Sequence, residues 1–145
     1  MDEKVYDKAV KLLSIRLHTT GELQRKLQRY GYADSDIREA LARLEDLRFL
    51  DDRQFAEIFV DNLKRFKDFG YHAIRAKLFG RHIPTSIAND TLAEYFTLAD
   101  ELAVARKLVT KLKRQKEPNY QQLAGALARR GFRSEIINKI LHDRD

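Results

Sequence analysis

The sequence predicts an all-α protein, three tandem three-helix repeats forming an elongated, curved array. Two observations carry that expectation: apolar residues recur at helical spacing along the chain, and the whole grammar of starts, stops and leucines repeats in register. Leu23, Leu27 and Leu41 map onto Ile74, Leu78 and Leu92 by adding 51, and onto Leu123, Leu127 and Leu141 by adding 100. Leucines coincide often by chance, so the accompanying signals decide. Thr19 corresponds to Gly70 and Asn119, and Asp34 to Thr85 and Ser134, all residues suited to a helix N-cap. Tyr32, Ile83 and Phe132 share one apolar position where a large side chain can staple the turn between second and third helices. The expected repeats are residues 1–50, 51–99 and 100–145.

Residues Lys4 to Leu17 place Val5, Ala9, Leu12, Leu13 and Ile15 at amphipathic spacing, which gives a first helix. Thr19-Thr20-Gly21-Glu22 reads as a capping box, with the hydroxyl at the N-cap and the carboxylate at N3. Leu23, Leu27 and Tyr30 continue that second helix to Gly31, since glycine accepts the left-handed conformation a helix end often needs. A third helix is expected from Asp34, carrying Ile37, Leu41, Leu44 and Leu47 toward a core. Phe49 and Leu50 then close the repeat, and Asp51-Asp52 opens the next as N-cap and first turn, with Gln54 at N3. Phe55, Ile58, Phe59 and Leu63 follow at helical spacing, so the joint is rigid and not a flexible linker. Asp100, the counterpart of Asp51, is expected to open the helix through Leu102, Ala105, Leu108, Val109 and Leu112. Each repeat is too small to bury a large core alone and must stack on its neighbour.

Composition narrows the function classes. Charged residues make up 34% of the chain and no cysteine is present, which points to a soluble helical protein without disulfides or thiolate metal sites. Apolar runs are short and no basic leader precedes one, so neither a membrane span nor a secretory signal is expected, and the setting is cytoplasmic. A formal net charge of +6 favours polyanionic partners, nucleic acid first. The charge is uneven: acids predominate from Asp34 to Glu57, bases from Arg106 to Arg133. The binding candidates are therefore a middle group, Lys64, Arg65, Lys67, Arg75, Lys77 and Arg81, and a later group, Arg106, Lys107, Lys111, Lys113, Arg114, Arg129, Arg130 and Arg133. A cluster of this kind is often only a solvated helix face. Here Lys107, Lys111 and Arg114 recur at i, i+4 and i+7 and line one face, which suits a phosphate strand.

No residue pattern supports catalysis, a cofactor or a metal. His18, His72, His82 and His142 are scattered without ligand partners and read as surface or helix-end residues. Asp51-Asp52 could be imagined as an acid pair or Mg²⁺ site, but a helix start makes capping the preferred reading. Phe55, Phe59, Phe66, Phe69, Phe79, Tyr95 and Phe96 are expected in core or interface, leaving Tyr30 and Tyr120 as exposed contacts and no aromatic for base stacking.

Phe49-Leu50-Asp51-Asp52-Arg53-Gln54-Phe55-Ala56 resembles the joint of the RecX regulatory proteins, a glycine-aromatic-leucine-aspartate-aspartate run before a phenylalanine-alanine pair. Ala9-Val10-Lys11-Leu12-Leu13, Glu22-Leu23, Arg25-Lys26-Leu27 and Tyr30-Gly31-Tyr32 are similar to that family's first repeat, and Ile74-Arg75 and Lys77-Leu78 to the core of its second. The chain departs from the pattern at Arg48, where glycine is usual, at Tyr71, where proline commonly follows glycine, and at His82, where a turn glycine stands. The resemblance implies a monomeric, non-enzymatic modulator of the RecA recombinase. Such proteins bind the groove of its filament on single-stranded DNA and limit filament growth, ATP hydrolysis, strand exchange and SOS-repressor cleavage. Duplex DNA is a further candidate partner. Two other readings stand beside it: a sequence-tolerant DNA-binding helical array that needs no recombinase, and a helical adaptor for acidic proteins.

Overall fold

A computed structural model describes residues 3–142, so the outermost residues of the first and third expected repeats, 1–2 and 143–145, lie outside the description. Among the described residues there are nine helices and no strand: α1 Glu3–Ile15, α2 Thr20–Arg29, α3 Asp34–Asp46, α4 Asp52–Phe66, α5 Tyr71–Gly80, α6 Thr85–Tyr95, α7 Leu98–Gln115, α8 Tyr120–Arg129 and α9 Ser134–His142. They group by contact into three units, α1–α3, α4–α6 and α7–α9. The repeated positions of the second helices, Leu23, Leu27, Ile74, Leu78, Leu123 and Leu127, are all buried. So are Leu41 and Leu92, while their counterpart Leu141 is half-buried.

The stops repeat as faithfully as the cores. After α2, the N–H of Tyr32 donates to the Leu27 carbonyl and that of Gly31 to Gln28. The same pair of bonds forms from Ile83 and His82 after α5, and from Phe132 and Gly131 after α8. This is the Schellman motif, which needs a left-handed residue after the cap. Gly31 and Gly131 meet the need at φ 88° and 83°, and His82 meets it at 61° despite its side chain. The α3 stop has the same form with Arg48 at φ 65°. Both departures from the family glycine therefore keep the turn, at a cost of about 1 kcal/mol each.

Several starts differ from expectation. Asp34, Thr85 and Ser134 are the first residues of their helices. For α3 and α6 the caps are instead Ala33 and Pro84, in extended backbone without a side-chain bond. Asp34 in the first turn still meets the positive end of the helix dipole. Likewise α7 opens earlier than Asp100: the Thr97 hydroxyl accepts the Asp100 N–H at 3.2 Å, and the Asp100 carboxylate accepts the Thr97 N–H at 3.0 Å, which puts Asp100 at N3. The capping boxes at Thr19 and Asn119 form as expected, and Asp51 accepts the Gln54 N–H at 3.0 Å. His18 is buried, contrary to the surface expectation, in the turn between α1 and α2. Phe66 departs the other way and is exposed, because it is the last residue of α4 and projects past the packed part of the helix.

The units are joined by one recurring arrangement. At the first joint, the Asp52 carboxylate accepts the N–H of Thr20, the first residue of α2, at 2.8 Å. At the second, Glu101, which corresponds to Asp52 in the repeat, accepts the N–H of Tyr71, the first residue of α5, at 2.9 Å. Each carboxylate thus satisfies an orphan donor in the unit before its own. The N-cap residue of that second helix also bonds across the joint: the Thr19 hydroxyl donates to the Arg81 carbonyl at 2.6 Å, and the Gly70 N–H to the Arg130 carbonyl at 2.9 Å. Tyr71 stands where the family's proline commonly would, and proline could not donate this hydrogen bond.

Candidate nucleic-acid interface

The second joint brings basic residues together. Lys107 and Lys111 lie one turn apart on α7 and reach the end of α4: the Lys107 ammonium donates to the Arg65 carbonyl at 3.3 Å, and Lys111 pairs with Asp68 at 2.8 Å. Lys67 lies exposed in the α4–α5 loop between those two contacts. On the other side of that loop, Lys77 of α5 and Arg130 after α8 sit 4.5 and 6.0 Å from the centre of the Phe69 ring. Helices α4, α5, α7 and α8 therefore deliver Arg65, Lys67, Lys77, Lys107, Lys111 and Arg130 to one seam, although they are far apart in sequence. Elsewhere on α7, Arg106, Lys113 and Arg114 are exposed, and Arg129 is exposed at the end of α8, its guanidinium folded back toward Gly125.

Other candidates use their charge inside the protein. Arg133 donates to the fully buried Glu101 carboxylate at 2.6 Å and lies 4.1 Å from the Tyr71 ring centre. Lys64 donates to the Tyr95 carbonyl at 3.1 Å and lies 3.8 Å from Asp100. Arg81 binds Glu22 across the first joint at 3.0 Å and stacks on Phe55 and Phe59. Arg75 bonds Asn89 and covers Phe79. Residue type and spacing do not separate a cation that holds a joint from one that faces solvent. Of their acidic partners, Glu22 was legible only as the N3 member of a capping box and Glu101 only as an acid beside the second predicted boundary.

Electrostatics at the first joint are different. Glu45, Asp46, Asp51 and Asp52 line an open cleft between units one and two, with only Arg48 and Arg53 among them. Burial works to raise the Glu22 carboxyl, but the Thr19 N–H and the Arg81 and Arg16 guanidinium groups outweigh it and hold the group below its usual range. His18 lies next to this joint. Its Nε2 is 2.9 Å from the Lys26 ammonium, which can only donate, so Nε2 carries the lone pair and Nδ1–H donates to the Arg16 carbonyl at 2.9 Å. Burial first, then the charges of Arg16 and Lys26, hold this imidazole below its usual pKa, against the opposing pull of the Arg16 carbonyl and Glu22.

Among the described residues no group of three or more histidine, cysteine or acidic side chains is placed to hold a metal ion. No helix there is long and apolar enough to cross a membrane. The arrangement offers two unlike faces, an acidic cleft and a basic seam, on one helical row.

Comparisons with known proteins agree with this fold. Residues 6–44 match the domain described as "RecX, first three-helix domain". Regulatory protein RecX of Prosthecochloris aestuarii is 35% identical over 97% of this chain and 93% of its own. That of Chlorobium phaeobacteroides is 36% identical over the same shares. The crystal structure of RecX from Lactobacillus salivarius superposes with a TM-score of 0.88 at 28% identity, covering 96% of this chain and 93% of that one. With nine helices among the described residues, the repeated joints and this likeness along nearly its whole length, the chain belongs to the RecX family of regulatory proteins.

Proposed function

We propose that this protein is a non-enzymatic inhibitor of the RecA recombinase. It lies as a monomer along the groove of the recombinase filament on single-stranded DNA, in the cytoplasm, with residues 1–50, 51–99 and 100–145 as its repeats. There it limits filament growth, ATP hydrolysis, strand exchange and SOS-repressor cleavage. The observation that carries this reading is the match of 97% of the chain to proteins named regulatory protein RecX. The seam supports it physically, because several cations delivered to one strip suit a phosphate backbone, and counterion release makes such binding fall steeply with salt. With no phosphate-cradling loop in the sequence, the effect on ATP turnover passes through the recombinase's own site.

The test is recombinase ATPase activity on single-stranded DNA across a broad range of added protein. Progressive inhibition is expected, and unchanged turnover at every ratio would remove the proposal. Lys113 and Arg114 probe the charge without disturbing a joint. Replacing both by alanine is expected to lower the salt slope of filament binding by about 2 and to leave helical content intact. An unaltered slope would take the α7 face out of the contact.

A further inference from the structure

Phe66 ends α4 with 76% of its surface in solvent, more than any other large apolar side chain among the described residues. Leu63, one turn earlier, still packs against the core, so the packed part of α4 ends just before this ring. Other aromatic rings near the seam and the first joint carry a cation: Arg81 lies over Phe55 and Phe59, Lys77 over Phe69, and Arg75 over Phe79. Phe66 carries neither a cation nor a second ring among the described residues, so its faces are open.

The ring is open but its surroundings are charged. Arg65 and Lys67 flank it in sequence and are exposed, and Lys107 reaches the Arg65 carbonyl from α7. The nearby acids are already engaged: Asp61 pairs with Arg65 at 2.9 Å and Asp68 with Lys111 at 2.8 Å. Lys67 and Lys107 form no carboxylate pair among the described residues, and they leave the surface beside the ring positive. An open aromatic face beside phosphate-seeking charge is the combination that holds unpaired nucleic acid, with bases stacked on rings and the backbone tracked by cations. An apolar protein pocket would call for more than a solitary ring, and the neighbouring Leu63 and Phe69 are turned into the core.

We infer that Phe66 is a stacking platform for an unpaired base, so that the seam between α4 and α7 recognises single-stranded nucleic acid by base as well as by phosphate. The inference rests on the proposed function only in taking single-stranded DNA as the partner. A duplex keeps its base faces covered by one another, so the platform discriminates between the two forms of DNA.

The chain contains no tryptophan, so Phe66→Trp introduces a single reporter at this position. Titrating that variant at low salt with oligothymidylate, a duplex of equal length and inorganic polyphosphate tests the inference directly. Saturable quenching by the single strand is expected, with little response to the other two polyanions. In parallel, Phe66→Ala is expected to weaken single-strand binding by about tenfold while duplex binding and helical content stay unchanged. Equal quenching by polyphosphate, unchanged single-strand affinity of Phe66→Ala, or absence of binding to the free strand would each overturn the inference. Quenching by recombinase protein without DNA would overturn it too, and would assign the ring to a protein pocket. ATPase inhibition by the unaltered protein separates the outcomes: inhibition without stacking sinks only the platform, whereas stacking without inhibition sinks only the proposed function.

Discussion

The two joints use the same parts and differ in how deeply they are buried. Asp52 and Glu101 occupy one repeat position and perform one task, accepting the first N–H of the preceding unit's second helix. At the second joint the carboxylate also accepts from the Arg133 N–H and guanidinium, and the apolar residues of units two and three form one continuous core. At the first joint the position matching Arg133 is Pro84, which has no N–H to offer, and unit one keeps a separate core. The same device is thus fully buried at one end of the row and partly exposed at the other. Units two and three share one core with the basic seam across it, whereas unit one has its own core and meets unit two through the bonds of Thr19, Thr20 and Glu22.

The largest expected effect is at Glu101. Replacing it by alanine leaves the largely buried Arg133 charge without its partner and two backbone donors unsatisfied, which costs about 3–5 kcal/mol. Chemical denaturation should show units two and three lost together. A loss below about 1 kcal/mol would mean the seam does not depend on this carboxylate.

Next come two glycines that share a repeat position. Gly131 has φ 83°, and a Cβ there would stand 2.5 Å from the backbone nitrogen of Ala73 in the neighbouring unit. Gly31 has φ 88° and nothing within 4 Å. Gly31→Ala should therefore cost about 1 kcal/mol, the left-handed penalty alone, and Gly131→Ala about 2–3 kcal/mol, since backbone must also shift. Equal losses would show that the second joint can open to admit a methyl group.

Asp52→Ala is the counterpart of the Glu101 substitution. It removes one partly exposed cap bond across the first joint, so about 1 kcal/mol is expected, with unit one alone losing hydrogen-exchange protection. Loss of protection throughout the chain would erase the distinction between the joints.

These contrasts also explain which parts of the molecule were legible in the sequence. Leu23, Ile74 and Leu123 declare their helices because helix period is a local fact, and Gly31 declares its stop for the same reason. His82 and Arg48 hide two identical stops, since neighbouring bonds and not residue type hold them left-handed. The basic candidates divide by distant partners: Arg81 meets Glu22, and Arg133 meets Glu101, through contacts that no linear spacing displays. Phe66 illustrates the converse, because a helical stripe does not reveal that its last member projects beyond the packing.

The smallest effect is set by pH and should fall on the first joint alone. His18 is held neutral, with its folded pKa below the unfolded one, so over that interval the unfolded chain binds more protons than the folded chain. Its contribution is complete above the ordinary imidazole value of about 6.5 and is lost as pH falls through the folded value, when Nε2–H is forced to face the Lys26 ammonium. Glu22, also lowered, follows the same direction at more acid pH, its contribution disappearing as its carboxylate is protonated and released by Arg81. Acidification from about pH 7 to about pH 5.5 should therefore loosen unit one before units two and three, and His18→Gln should flatten that first step while leaving the Glu22 step in place. Hydrogen exchange at both pH values checks it: protection lost equally in all three units, or an undiminished first step in His18→Gln, would locate the sensitivity away from this joint.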